Sequence, residues 1–270
     1  MEKRLIVNAD DLGYSEGINE GIIKAHKEGI VTSTSLMVNG RAAKHGVNLA
    51  KKNPRLGLGL HFQVEDNDLN LLWQAQRVIS VVLIEKTKKE FLEQVQAFKQ
   101  LTDKMPDHID SHHHVHKMPR IFPFIKTWCR KNRIPYRMQI NFIDSFFGMP
   151  STKQITVENL LSILGNLYPG VSELMCHPGL VTPDLKSSYS GQRELELKAL
   201  TFPRVKQEIK RLGIDLSYPS APSTWLRIII RSGLTASFAY YLVLRFSSQL
   251  TIFVSRYLTI RLIYDTIRLG

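Results

Sequence analysis

Cysteine is scarce: Cys129 and Cys176 are the only two among 270 residues. Two thiols cannot staple a disulfide scaffold, and they suit a reducing compartment. The start of the chain also lacks the apolar stretch of a secretory signal, because Met1-Glu-Lys-Arg runs straight into Leu5-Ile-Val7. A chain working on the cytoplasmic side is therefore expected. In the C-terminal stretch the longest uncharged run is Ser232–Leu244, 13 residues, whereas a bilayer span needs about 18. Internal repeats and low-complexity tracts are absent. Apolar residues make up 43% and charged residues 22%, which excludes a disordered chain. What is abundant is positive charge, a formal +12, which raises nucleic acid, an anionic membrane or an acidic substrate as partners. Histidine is the other surplus: of nine in the chain, five fall between His108 and His116.

Short apolar runs alternate with helix-period segments. Strands are predicted at Arg4–Asn8, Thr34–Asn39, Leu56–Phe62, His108–His113, Tyr136–Ile140, Ser172–Cys176 and Gly213–Ser217. Ser15 is placed to cap a helix running to about Gly29, with Ile18, Ile22 and Ala25 on one face. Phe91, Leu92, Val95, Phe98 and Leu101 mark a second helix, and Val157, Leu160, Leu161 and Leu164 a third. Such alternation predicts an α/β fold with a mostly parallel sheet. Polar residues fall at successive strand ends: Asp10 and Asp11, Asn39, His61, the histidine cluster, and His177. An open sheet gathers its ligands at one switch point, whereas a barrel opens all its carboxyl ends onto one face. The expectation is an irregular TIM-like (β/α) barrel of about seven parallel strands.

The histidine cluster reads Asp110-Ser-His112-His113-His114-Val-His116. If the strand extends through it, alternation puts Asp110, His112, His114 and His116 on one face, a workable arrangement for a divalent metal. Adjacent carboxylates at Asp10 and Asp11 point different ways on a strand end, so one can ligate a cation while the other serves as general base. In Gly57-Leu-Gly-Leu-His61 the glycines permit close backbone packing ahead of a terminal histidine. Cys176-His177-Pro178-Gly179 fixes a sharp turn that holds His177 at the mouth of the sheet, with Cys176 as buried filler.

Asn8-Ala-Asp-Asp-Leu-Gly13, Thr32-Ser-Thr-Ser-Leu-Met-Val-Asn-Gly40, Gly59-Leu-His61, Asp110-Ser-His-His-His-Val-His116 and Cys176-His-Pro-Gly179 occur in this order. In that order, over about residues 3–218, the chain resembles the YdjC-like carbohydrate deacetylases, which include chitooligosaccharide deacetylases. The resemblance implies a (β/α) barrel and removal of the acetyl group from an N-acetylated amino sugar with a divalent cation. It matches Asp11, His61 and His112 to the metal ligands and Asp10 to the base. His177 matches a residue at the mouth of the site; its part as general acid, with His114 in reserve, is our inference. The resemblance implies magnesium, whereas two histidines and one carboxylate also suit zinc, manganese or iron. The segment Gln63–Asn70 departs from the pattern usual after that histidine. A histidine-rich barrel metallophosphoesterase is the alternative reading, but Asp10-Asp11 stands where such enzymes carry His-x-His.

Two prolines between Tyr218 and Thr224 mark a linker, dividing a barrel at 1–222 from a tail at 223–270. From Thr224 on there is no lysine and no glutamate, with six arginines against one aspartate, so this stretch carries +5 of the +12. Phe246, Leu250, Phe253, Tyr257, Ile260, Tyr264 and Ile267 recur at helical spacing. An interfacial helix on the inner face of a membrane is one expectation, and a lipid-linked amino sugar would then be an attractive substrate. Packing of the tail on the barrel, or on a second subunit in a homodimer, is the other. No nucleic-acid partner is expected, since no recognition motif or basic–aromatic groove is present.

Overall fold

The computed structural model describes residues 2–65, 68, 81–149, 151–182, 185 and 187–218. The whole tail, the 223–270 division and part of the Gln63–Asn70 segment lie outside these residues. Among the described residues there are seven parallel strands: β1 (Lys3–Leu12), β2 (Ser33–Leu36), β3 (Gly57–Phe62), β4 (Ile109–Ser111), β5 (Asn141–Ile143), β6 (Gly170–Cys176) and β7 (Ile214–Leu216). The described helices that accompany them are α1 (Glu16–Lys27), α2 (Ala43–Lys51), α3 (Val81–Thr102), α4 (Phe122–Asn132), α5 (Val157–Gly165), α6 (Ser190–Leu200) and α7 (Pro203–Arg211).

The sheet order is β4-β3-β2-β1-β6-β5. β1 is central, and β6 pairs with it from Lys3 to Ala9. Its other edge is shared, because β7 pairs with Lys3–Leu5 and β2 with Asn8 onward. Both faces of β1 are covered, so it reads as an unbroken buried run rather than an alternating one, with Leu5, Val7, Ala9 and Leu12 all fully buried. Ser15 caps α1 as predicted, accepting a hydrogen bond from the Ile18 backbone N–H at 3.2 Å, and Ile18, Ile22 and Ala25 are its buried face. On α3, Phe91 and Phe98 are fully buried, and Phe91 meets Phe62 edge-to-face at 5.4 Å. Each such ring contributes about 1.5–3 kcal/mol through apolar burial.

Two expectations need correction. The strand through the histidine cluster stops at Ser111, and His112–Lys117 form a 3-10 turn in which His113 and His114 take left-handed φ values of 51° and 56°. The predicted strand at Tyr136–Ile140 is also displaced. Tyr136 makes only a parallel bridge to Ile109, and the strand that pairs with β6 is Asn141–Ile143. The stretch from Pro135 to Ile143 thus runs from beside β4, at one edge of the sheet, to the other edge, where its end forms β5 against β6. The architecture is a curled half-barrel of parallel strands, and no closed eight-stranded barrel forms among the described residues.

Candidate active site

Side chains from the ends of β1, β3, β4 and β6 meet here, and a local distortion of β1 brings both aspartates in. Between Ala9 and Leu12 the register against β2 shifts, with three steps along β1 facing two along β2. This is a β-bulge, and Asp11 sits in it at φ 72°. In a regular strand Asp10 and Asp11 would face opposite sides; the bulge swings Asp11 back over the same end of the sheet as Asp10. Gly13 follows at φ 96°, where an added Cβ would lie 2.8 Å from the Met37 carbonyl oxygen, so the turn requires glycine.

Asp11 Oδ1 lies 3.2 Å from His61 Nε2 and 3.2 Å from His112 Nδ1. His61 is the register partner of Asp110 on β4, and its Nδ1 stands 2.7 Å from Asp110 Oδ1. Asp110 is held in turn by Ser35 Oγ, which donates to its Oδ2 at 2.8 Å. That carboxylate orients the ring and leaves Nε2 to the site, an arrangement typical of a ligating histidine and its supporting carboxylate. His112, the first residue after β4, is the most exposed of the three at 29%. Gly59 is needed in β3 for close packing, since a Cβ there would collide with the His108 ring.

The fit to a divalent cation rests on Asp11 Oδ1. This oxygen is buried and accepts no hydrogen bond, yet two ring nitrogens face it. The three donor atoms lie within 4.8 Å of one another, a spacing that bonds of about 2.0–2.2 Å can gather around one ion. Burial opposes charge at Asp11, but the Arg193 guanidinium and both histidines outweigh it and hold the carboxyl well below its usual range. Burial also disfavours the charged His61 ring, but Asp110 and Asp10 outweigh it and raise its pKa to about 10, so a bound cation displaces a proton. A second group, Asp10, His61 and Asp110, is equally compact. Its carboxylates are already engaged by a guanidinium, which makes it the poorer cation site.

That guanidinium belongs to Arg137, which the sequence did not single out. Its NH1 and NH2 grip both oxygens of Asp10 at 2.7 and 2.6 Å; NH2 also reaches Asp110 at 2.9 Å, and Nε donates to Glu173 at 2.7 Å. The group is fully buried, and the three carboxylates keep it charged despite desolvation. Asp10 is held below its ordinary pKa: burial raises it, but Arg137 prevails. Asn8 adds a hydrogen bond to Asp10 Oδ1 at 2.8 Å.

His177 ends β6 on the other side of Asp10. Its Nε2 is 3.8 Å from Asp10 Oδ2, and burial lowers its pKa to about 4 against the pull of Asp10 and Asp11. Helix α6 and the residue before it, also unforeseen, send three groups to this region. Arg193 NH2 donates to Asp11 Oδ2 at 2.6 Å, the Tyr189 hydroxyl donates to Glu196 Oε1, and the His177 backbone N–H donates to Glu196 Oε2. The remaining histidines stand apart from the ligand group. His116 is buried against Ser111 Oγ, and burial drops it to about 3; His114 packs on Phe142, and burial drops it to about 4. Neither belongs to the Asp11–His61–His112 group.

Both cysteines are fully buried, and burial raises Cys129 to about 12. Neither should react with Ellman's reagent in the folded protein at pH 8, whereas two thiols per chain should titrate in guanidinium chloride. Fast labelling of one thiol in the native state would contradict this packing.

A curled parallel sheet thus carries, at its carboxyl end, a buried aspartate and two histidines spaced to hold a cation, with Asp10 and His177 beside them, in an α/β protein. The chain belongs to the YdjC-like protein family, whose model matches residues 4–211. It is 36% identical over 242 residues to a carbohydrate deacetylase of Clostridium beijerinckii, covering 79% of this chain and 97% of that one. A chitooligosaccharide deacetylase of Yersinia enterocolitica is 33% identical over 80% of this chain and 98% of its own. Among solved structures, a proposed cellobiose-phosphate cleavage protein of Enterococcus faecalis superposes with a TM-score of 0.68 at 25% identity, covering 81% of this chain and 98% of that one. The peptidoglycan deacetylase PdaC of Bacillus subtilis superposes at 0.53 with 11% identity over 91% of this chain and 98% of its own, a likeness of fold. The family and these relatives place the chain among the carbohydrate deacetylases, not the metallophosphoesterases.

Proposed function

We propose that the protein is a metal-dependent hydrolase that removes the acetyl group from an N-acetylated amino sugar. Asp11, His61 and His112 would hold the cation, Asp10 would be the base and His177 the acid. The observation that carries the reading is the unsatisfied Asp11 Oδ1 facing two ring nitrogens, beside an aspartate and a histidine 3.8 Å apart. A divalent cation held by these three residues would acidify a water and polarise the acetyl carbonyl. Asp10 takes the proton of the attacking water at Oδ2, with Arg137 fixing the carboxylate in position. His177 Nε2 gives a proton to the nitrogen as the C–N bond breaks. The donor set suits zinc, manganese or iron by softness, and magnesium follows from the family resemblance.

The test is acetate release from a panel of free and lipid-linked N-acetylglucosamine compounds, with and without chelator. Acetate is expected from at least one class, with loss in chelator and recovery on adding one of these cations. Undiminished release in chelator would overturn the metal dependence. The arginine-rich tail favours the lipid-linked class, because arginines beside apolar residues at helical spacing suit a phosphate-bearing surface. Among the described residues no helix is long and apolar enough to cross a membrane.

A further inference from the structure

Helix α6 presents Glu196 to the back of His177. Glu196 is fully buried, and burial pushes its carboxyl up to about 8. Its Oε2 accepts from the His177 backbone N–H, and its Oε1 accepts from the Tyr189 hydroxyl and lies 3.8 Å from His177 Nδ1. That ring nitrogen is buried without a hydrogen-bond partner. The opposite nitrogen, Nε2, faces Asp10. The ring is further confined by Phe147, at 5.1 Å between centroids, and by Tyr189 at 5.6 Å. Tyr189 is itself pinned, since its hydroxyl accepts from the Gly148 backbone N–H at 2.6 Å.

We propose that Glu196 is the positioning residue for His177, holding its Nδ1 hydrogen and so reserving Nε2 for the reacting nitrogen. The inference rests on the deacetylase reading and assigns the residue that makes His177 usable as an acid. Asp10 and Asp11 on β1, His61 on β3 and Arg193 on α6 are the other charged groups felt by the ring. Among these groups and Glu196, only Glu196 faces Nδ1 as an acceptor. Apart, a buried imidazolium and a buried carboxylate each resist charging; side by side, one proton moved from Oε1 to Nδ1 lets both charge as a pair. In the reaction, the Nε2 proton then leaves for the sugar nitrogen as its bond to the acetyl carbon breaks, and Nδ1 keeps its hydrogen on Glu196. Tyr189 and the Gly148 backbone extend the chain of hydrogen bonds outward from Glu196.

Glu196→Gln separates this role from simple packing. The Gln amide keeps the shape but has no proton to give up to Nδ1 and no charge to pair with the ring, so the imidazole stays neutral and becomes a much weaker acid at Nε2. Nitrogen-15 NMR of the full chain, with His177 assigned by a His177→Gln variant, reads the protonation of the ring without substrate. The wild-type ring is expected to carry hydrogen on both nitrogens, paired with the Glu196 carboxylate, and the Glu196→Gln ring to be the neutral Nε2–H form. Steady-state kinetics should show kcat down about 10- to 100-fold with KM nearly unchanged, and the limb of the kcat–pH profile that reports the acid displaced. Glu196→Asp should restore part of both. An unchanged ring protonation and an unchanged pH profile would overturn the proposal. Absence of acetate release by the wild type would instead overturn the deacetylase reading, while the ring protonation still decides the part played by Glu196.

Discussion

Arg137→Met should destabilise the protein by about 3–5 kcal/mol, the usual cost of removing one partner from a buried ionic cluster. Asp10, Asp110 and Glu173 all converge on this guanidinium; without it Asp10 and Glu173 would lose their paired cation, and Asp110 would keep His61 and Ser35. Lysine would be a poor substitute, because one ammonium cannot grip both Asp10 oxygens and reach Glu173 at the same time. The pH dependence gives the effect a signature. In the wild type the Asp10 and Asp110 pKa values are depressed on folding, so their stabilisation is present above the unfolded value near 3.8 and is lost as pH falls below it. In the variant burial meets only the weaker pull of His61 at Asp10 and of His108 at Glu173 and raises these two carboxyls, so stability should fall as pH rises from about 5 to 8. Urea denaturation at several pH values measures both the size and the slope. A variant within about 1 kcal/mol of wild type, with the wild-type pH slope, would show that the cluster does not hold the sheet edges together.

Asp10→Asn should lower kcat about a thousandfold, within the usual range for loss of a positioned general base. The proposed base lies outside the cation-competent group of Asp11, His61 and His112, so binding of Zn2+ or Mn2+ by calorimetry should be retained. Asp11→Asn provides the contrast: it should weaken cation binding itself, because it removes the charge that both ring nitrogens face. In Asp10→Asn the amide oxygen still accepts from Arg137, and Arg137 keeps Asp110 and Glu173, so the fold should survive. An Asp10→Asn enzyme with wild-type acetate release would remove Asp10 from the mechanism. Loss of cation binding in this variant would move Asp10 among the ligands.

Much of the fold is visible in local pattern. β1, β3 and β6 are apolar runs bounded by turns, and α1 announces itself by Ser15 and by Ile18, Ile22 and Ala25. Helix α6 does not, because its inward face carries Arg193 and Glu196 beside Leu197 and Leu200. A helix that turns charges inward lacks the apolar stripe by which helices are read. The histidine run misled for a related reason. Alternation predicts a shared face only while the chain stays extended, and left-handed residues at His113 and His114 end it after Ser111.

The sequence by itself determined the α/β alternation, the strand ends that carry Asp10, Asp11, His61, His112 and His177, and the family to which their motifs point. Tertiary structure alone decided what each of those groups faces. Arg137 meets Asp10 across 127 positions of chain, and Arg193 meets Asp11 across 182. Local periodicity reports which side of an element is apolar, and it holds no information about partners so remote. Nor does it report the bulge that turns Asp11 toward two imidazoles, since that backbone state is fixed by pairing with β2 rather than by Asp11 or its neighbours.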